Sequence, residues 1–158
     1  MAQGVDIYAL LSEKLKVEHK SPEDLSSLAL AFIGDAVYEV YVRKHVLDEK
    51  AARVDDLHKR TVLFVNAKAQ ARAMKKMMDE LPQERRDLVR KARNHKPKTV
   101  PKSADAMEYK WATALEALIG YLYLEGETEE LDRVASRAIE LTEEMTEYKF
   151  LILFLKCL

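Results

Sequence analysis

The stretch "LALAFIGDAVYEVYVR", residues 28–43, has the pattern of an apolar helix with a glycine and an aspartate side by side at its centre. Inside a helix, Gly34 costs about 1 kcal/mol relative to alanine, and Asp35 belongs to a residue type that resists burial. A missing side chain lets another backbone or a ligand come close. The stretch therefore predicts a helix that makes a close contact beside an acid.

A second glycine with a nearby acid lies in "TALEALIGYLYL", residues 113–124. Gly120 follows Glu116 by four residues, so the two share a helix face. If the two helices cross at their glycines, Asp35 and Glu116 converge. Two facing carboxylates either share a proton or bind a divalent cation. The alternative is that both acids are solvated and that the glycines only ease packing.

The rest of the chain also has helical spacing, with apolar residues three and four positions apart and no alternating stretch of strand length. The sequence predicts an all-α fold in one domain, as 158 residues would suggest. Ser21 is the expected cap of the helix that contains Gly34, Gly126 the expected end of a later one, and residues 94–104 a loop. The expected helices span about 7–15, 22–47, 54–78, 82–93, 106–124 and 127–149.

Composition limits the compartment and the partners. Cys157 is the single cysteine, so an intrachain disulfide is excluded. The sequence shows neither a secretory leader nor an apolar run of about 18 residues, which favours a cytoplasmic protein with no membrane partner. The apolar end, residues 150–158, is too short to span a bilayer and its role is open.

Charge is strongly segregated along the chain although the net charge is only -1. Residues 57–102 hold fourteen Lys and Arg against four acids, whereas residues 125–147 hold nine acids against two Arg. A basic segment near paired acids is typical of metal-assisted attack on a phosphodiester, since the cation offsets phosphate charge and lysine and arginine hold the backbone. The residues predicted to hold a phosphate backbone are Arg85, Arg86, Arg90, Lys91, Arg93, Lys96, Lys98 and Lys102.

Both glycine motifs resemble the catalytic motifs of the ribonuclease III family. The run "ARNHKPKTVPKSADAMEYKWATALEALIGYLYLEG", residues 92–126, is most similar to Mini-ribonuclease III, the bacterial group with the nuclease domain alone. The resemblance implies a helical catalytic domain over residues 1–149. It further implies a Mg²⁺-dependent homodimer that cleaves double-stranded RNA, with precursor 23S ribosomal RNA as the expected target.

Carried over residue by residue, the resemblance assigns catalysis and metal binding to Asp35 and Glu116. Larger ribonucleases III have further acids where this chain has Leu28, Ala31 and Thr113. Fewer carboxylates leave more of the ion's coordination to water and substrate phosphate.

Three other acids lie near these motifs in the sequence. Glu39 is one turn after Asp35 and could support it, although a solvated or packing role is the simpler interpretation. Asp105 and Glu108 precede or begin the second motif's helix, where capping is preferred over a role in the site.

A homodimer is also expected because the first motif's helix is apolar on more faces than one core can bury, with Phe32, Val37, Val40 and Tyr41 around it. Two alternatives to the enzyme stay open. One is a catalytically silent RNA-binding or scaffold dimer of the same fold, and the other is a helical interaction domain that uses the acidic segment.

Overall fold

The computed structural model describes residues 20–48, 53–95 and 105–145, and in these ranges it contains helices and no strand. The predicted all-α fold is confirmed. The expected helix at 7–15 and the apolar end lie outside the described residues. The helices are α1 (Ser27–Asp48), α2 (Val54–Val65), α3 (Ala67–Met77), α4 (Gln83–Arg93), α5 (Ala106–Glu125) and α6 (Thr128–Met145), with 3-10 turns at Pro22–Asp24 and Met78–Glu80.

Helix α5 is the centre of the fold. It packs against α1, α3, α4 and α6, and its side chains are buried almost continuously from Ala112 to Leu122. Leu115, Leu118 and Ile119 of this helix are fully buried. An acid on this helix is therefore held among apolar groups, where its charged form is costly.

The prediction of a single helix over 54–78 is wrong, because the helix breaks at Asn66. This residue has an extended backbone, with ψ at 150°. Its side-chain oxygen accepts from the Ala69 amide at 3.0 Å, and its Nδ2 donates to the carbonyls of Val62 and Leu63. One asparagine thus caps the end of α2 and the start of α3, which is why the apolar spacing continues across the break.

Helix ends show one further difference from the prediction. Ser21 makes no capping hydrogen bond, and Ser26 caps α1 instead, accepting from the Ala29 amide at 3.1 Å. Gly126 ends α5 as predicted, with φ at 73° in the left-handed region that suits glycine. Asp105 caps the start of α5 through the Met107 amide at 2.8 Å, in agreement with its preferred interpretation.

Candidate active site

The two glycines bring the backbones of α1 and α5 into direct contact. A Cβ placed on Gly34 would lie 1.8 Å from the carbonyl oxygen of Glu116, and one on Gly120 would lie 2.0 Å from that of Leu30. Carbon atoms essentially never approach so closely, so each position excludes every larger residue. The predicted crossing of the two helices at their glycines is confirmed.

The crossing places Asp35 and Glu116 close together. Burial, with the negative charge of Asp35 as a second cause, raises the pKa of Glu116 to about 8. Asp35 lies at the exposed edge of the pair, and partial burial followed by the charge of Glu39 raises its pKa above the usual value. Both carboxyls thus hold their protons more tightly than usual, and a bound cation would favour their ionised forms.

Glu39 lies beside this pair on α1, close enough to affect Asp35. Its carboxylate is engaged by Arg43 one turn further on, with Arg43 Nε donating to Glu39 Oε2 at 2.9 Å. Arg43 thus holds one oxygen of this carboxylate, while the negative charge of Glu39 still acts on Asp35. The simpler interpretation of Glu39, a packing and solvated role, is compatible with this placement.

Sequence reasoning missed one polar residue of the site, Gln70 on α3. Its side chain is 2 % exposed and approaches the Glu116 carboxyl, where it acts to lower the pKa of that acid. Its Nε2 atom is nevertheless buried without a hydrogen bond of normal geometry. The signal in the sequence was an amide on the face of α3 that otherwise carries small apolar residues and methionine.

Comparison with known proteins places this helix pair in a family. Residues 28–127, which include α1, the crossing and α5, match the model of the ribonuclease III domain. The chain belongs to the ribonuclease III family. Within it, the Mini-ribonuclease 3 of a Thermoanaerobacter species is 48 % identical over 120 residues, which are 76 % of this chain and 84 % of that protein.

Other relatives agree with this placement in the ribonuclease III family. The Mini-ribonuclease 3 of Symbiobacterium thermophilum is 43 % identical over 78 % of this chain and 95 % of its own length. A crystal structure of a Fusobacterium nucleatum protein superimposes with a TM-score of 0.68, at 39 % identity over 77 % of this chain and 98 % of that one. The resemblance seen in the two glycine motifs is thereby confirmed, and so is the fold class.

Neutral residues occupy the positions at which larger members of the ribonuclease III family are expected to carry further acids. Ala31 and Thr113 are buried, and Leu28 is partly exposed. Leu28 and Thr113 line the same small cavity, of about 10 Å³. Across residues 20–48, 53–95 and 105–145, no three His, Cys, Asp or Glu side chains form a cluster, so Asp35 and Glu116 have no third protein ligand of these types beside them.

The basic residues expected to hold RNA in a ribonuclease III fold lie in different environments. Arg90 and Lys91 are exposed on α4, and Arg90 forms an ion pair with Asp87 at 3.1 Å. Arg93 lies over the ring of Trp111, 4.8 Å from its centroid, which fixes this guanidinium beside the start of α5. Lys96, Lys98 and Lys102 lie outside the described residues.

Arg85 is a structural residue, in contrast to the prediction that it binds RNA. It is 7 % exposed, and its guanidinium donates to Glu127 at 2.6 Å and to Glu130 at 3.2 Å, joining α4 to the start of α6. Arg86 is half-buried and donates to the carbonyl of Leu81 at 2.7 Å. The basic surface that α4 offers to a polyanion is therefore narrower than its sequence indicates.

The buried acid of the site predicts a specific pH dependence of stability. Glu116 binds a proton more tightly in the folded chain than in the unfolded one, so the metal-free fold loses stability as pH rises from about 4.5 to about 8. The largest slope is about 1.4 kcal/mol per pH unit. Chemical denaturation in EDTA at pH 6 and pH 9 measures the effect, and Glu116→Gln should make the two midpoints more nearly equal. If the denaturation midpoint shifts by the same amount between pH 6 and pH 9 in both proteins, the raised pKa of Glu116 is contradicted.

Proposed function

We propose that this chain is a Mg²⁺-dependent endoribonuclease that cleaves double-stranded RNA. One observation carries the proposal: the Gly34–Gly120 crossing holds Asp35 and Glu116 together, in a chain of the ribonuclease III family. Both residues are the acids that the motif resemblance assigns to catalysis. Family membership supports an RNA endonuclease, and the paired acids support metal dependence.

The residues present fit a hard divalent cation. Carboxylate oxygens are the ligands that Mg²⁺ takes in proteins, and Mg²⁺ usually keeps several waters and binds through one or two carboxylates plus substrate phosphate. Asp35 and Glu116 meet that requirement without a third acid. A bound cation would offset phosphate charge and activate water for attack on the phosphodiester. The chain's own part is to hold the two acids at the crossing, where Glu116 would release its proton to solvent as the ion binds.

Recognition of the substrate is assigned to the exposed basic residues. Double-stranded RNA is read mostly by shape and by phosphate and 2′-hydroxyl contacts. The exposed Arg90 and Lys91, with the half-buried Arg93 on the same helix, offer positive charge for the backbone. The Mini-ribonuclease III resemblance supports precursor 23S ribosomal RNA as the target. The resemblance covers about residues 20–145, within the catalytic domain that we propose for residues 1–149, and composition favours a cytoplasmic location. No helix within the described ranges is long and apolar enough to cross a membrane.

A homodimer completes the proposal. The two strands of a duplex are antiparallel, so a two-fold dimer can place one site against each strand. The support is an exposed apolar stripe on α1. Phe32 is 84 % exposed and Val40 is 65 % exposed, with Leu28 on the same face one turn before Phe32. Apolar groups gathered on one exposed face mark an interaction surface, and α1 also carries Asp35.

Incubation with a fully paired RNA tests the function. We expect cleavage with Mg²⁺ and none in EDTA, with staggered ends that carry short 3′ overhangs, and a solution mass twice the 18.2 kDa of the chain. An RNA left intact at every Mg²⁺ concentration would refute the enzyme. A monomer that cuts both strands in one encounter would refute the dimer alone.

Salt dependence tests the RNA surface. Replacing Arg90 and Lys91 by Ala should weaken binding and reduce the slope of log affinity against log salt by roughly 0.7 to 0.9 for each phosphate that the protein no longer neutralises. Arg85→Ala is the matched variant on the same helix. It should lower the denaturation midpoint and leave the slope unchanged, because Arg85 is buried in ion pairs. An unchanged slope in the Arg90/Lys91 variant would remove α4 from the interface.

A silent RNA-binding or scaffold dimer stays the second candidate, for one reason in the structure. Leu28, Ala31 and Thr113 are neutral, so Asp35 and Glu116 have no further acid at these positions. If two carboxylates fail to hold the ion, the chain would bind duplex RNA with the same salt slope and leave it uncut with Mg²⁺. The duplex incubation separates this candidate from the enzyme.

A further inference from the structure

Gln70 is a buried amide that the packing of α3 does not require. Helix α3 buries Ala69, Ala71, Ala73 and Met74 as well, and a buried N–H donor without an acceptor costs about 1–3 kcal/mol. Nε2 of Gln70 is buried without a hydrogen bond of normal geometry, although the side chain approaches the Glu116 carboxyl. A methionine would fill the same space at lower cost, so the amide at this position points to a ligand that it serves.

The neighbour of this amide identifies the group that it serves. The Gln70 side chain faces Glu116 across the packing of α3 against α5. A protonated carboxyl accepts a hydrogen bond from an N–H donor more weakly than an ionised carboxylate does. The donor is thus complementary to the ionised form of Glu116, which is the form that binds a cation.

We propose that Gln70 is a positioning residue, whose side-chain amide donates to one carboxylate oxygen of ionised Glu116 and so orients this acid toward the cation. This inference rests on the proposed function. It assigns to α3 a part in a site whose two acids come from α1 and α5. Residues that hold a metal ligand in place typically change metal affinity by 10–100-fold when they are replaced.

Gln70→Met tests the proposal, because it keeps the side-chain volume and removes the donor. Isothermal titration with Mg²⁺ alone should show about tenfold weaker binding, while the denaturation midpoint in EDTA stays equal or rises. Met74→Leu, a buried change one turn along α3, is the matched control and should leave Mg²⁺ binding unchanged. A second variant, Gln70→Leu, should repeat the loss of affinity.

A double variant shows whether Gln70 acts through Glu116. In a Glu116→Gln background, adding Gln70→Met should weaken Mg²⁺ binding no further, since the carboxylate that Gln70 orients is already lost. A full additional loss would show that Gln70 reaches the ion by another route, and would overturn the proposal. A lower midpoint in Gln70→Met with unchanged Mg²⁺ affinity would make Gln70 a packing residue.

Failure of the positioning role and failure of the proposed function give different results. If the unchanged protein binds Mg²⁺ and cleaves duplex RNA but Gln70→Met binds Mg²⁺ equally well, the positioning role is wrong and the proposed function stands. If the unchanged protein binds no Mg²⁺ and Glu116→Gln behaves identically, the proposed function is wrong and the role of Gln70 falls with it.

Discussion

Asp35→Asn and Glu116→Gln should each lower duplex cleavage about a thousandfold or more, while duplex affinity stays nearly unchanged. Loss of a metal ligand removes several kcal/mol of charge stabilisation, and each 1.4 kcal/mol is about tenfold in rate. Both substitutions keep the side-chain shape, and neither touches the exposed basic residues of α4. Single-turnover cleavage with saturating protein gives the rate, and a filter or mobility assay in EDTA gives the affinity.

Glu129→Gln supplies the matched control, since Glu129 is an exposed acid in the first turn of α6, away from the crossing. It should cleave at the normal rate. Equal loss of cleavage rate and duplex affinity in the Asp35 and Glu116 variants would indicate unfolding. Lowered denaturation midpoints in these variants would confirm it. Normal cleavage in either variant would remove that acid from the proposed site.

Thr113→Asp adds a carboxylate three residues before Glu116, and unchanged Mg²⁺ affinity in this variant would place Thr113 away from the ion.

Gly34→Ala should be the most damaging methyl group that can be added to the described part of this chain. Its Cβ would meet a backbone carbonyl at 1.8 Å, and backbone cannot rotate away as a flexible side chain can. Helices α1 and α5 must separate to admit it, at a cost of about 3 kcal/mol or more for an overpacked core. Gly120→Ala should act similarly from the other side, at 2.0 Å. Urea denaturation in EDTA measures both.

Gly126→Ala is the comparison that isolates close approach from backbone conformation. Gly126 has a left-handed backbone, so alanine there costs about 1–2 kcal/mol through strain alone. We therefore expect the order of stability Gly126→Ala above Gly120→Ala and Gly34→Ala. If all three variants are destabilised by the same amount, the contact between the two helices is looser than the structure shows.

The crossing was predictable because two glycines inside apolar helices leave a clear signal. Gly34 and Gly120 each lower helix stability, so the sequence itself shows that something other than helix propensity selects them. The acid near each glycine was visible in the same stretches, and the resemblance to the family motifs then assigned a role to it. Helix content was equally accessible, since it depends on local apolar spacing that most of the chain displays.

Other features depend on tertiary contacts that no local pattern contains. Asn66 ends one helix and begins another through its own amide, so the apolar spacing passed over the break. In the sequence, Arg85 is one of several cations in a basic segment. Its ion pairs with Glu127 and Glu130, at the start of α6, form only in the folded chain. Gln70 became informative only when its donor was found buried beside Glu116.

The contact between α1 and α5 also has a consequence for synthesis of the chain. Asp35 and Glu116 are about eighty residues apart in the sequence, so a chain growing at 5–20 residues per second makes them roughly 4–16 s apart. During that interval α1 carries Asp35 but lacks α5, the helix that supplies Glu116 and packs against α1. A nascent chain therefore carries no paired-acid site until α5 has been made, and the proposed cleavage activity is absent from every chain that stops before α5.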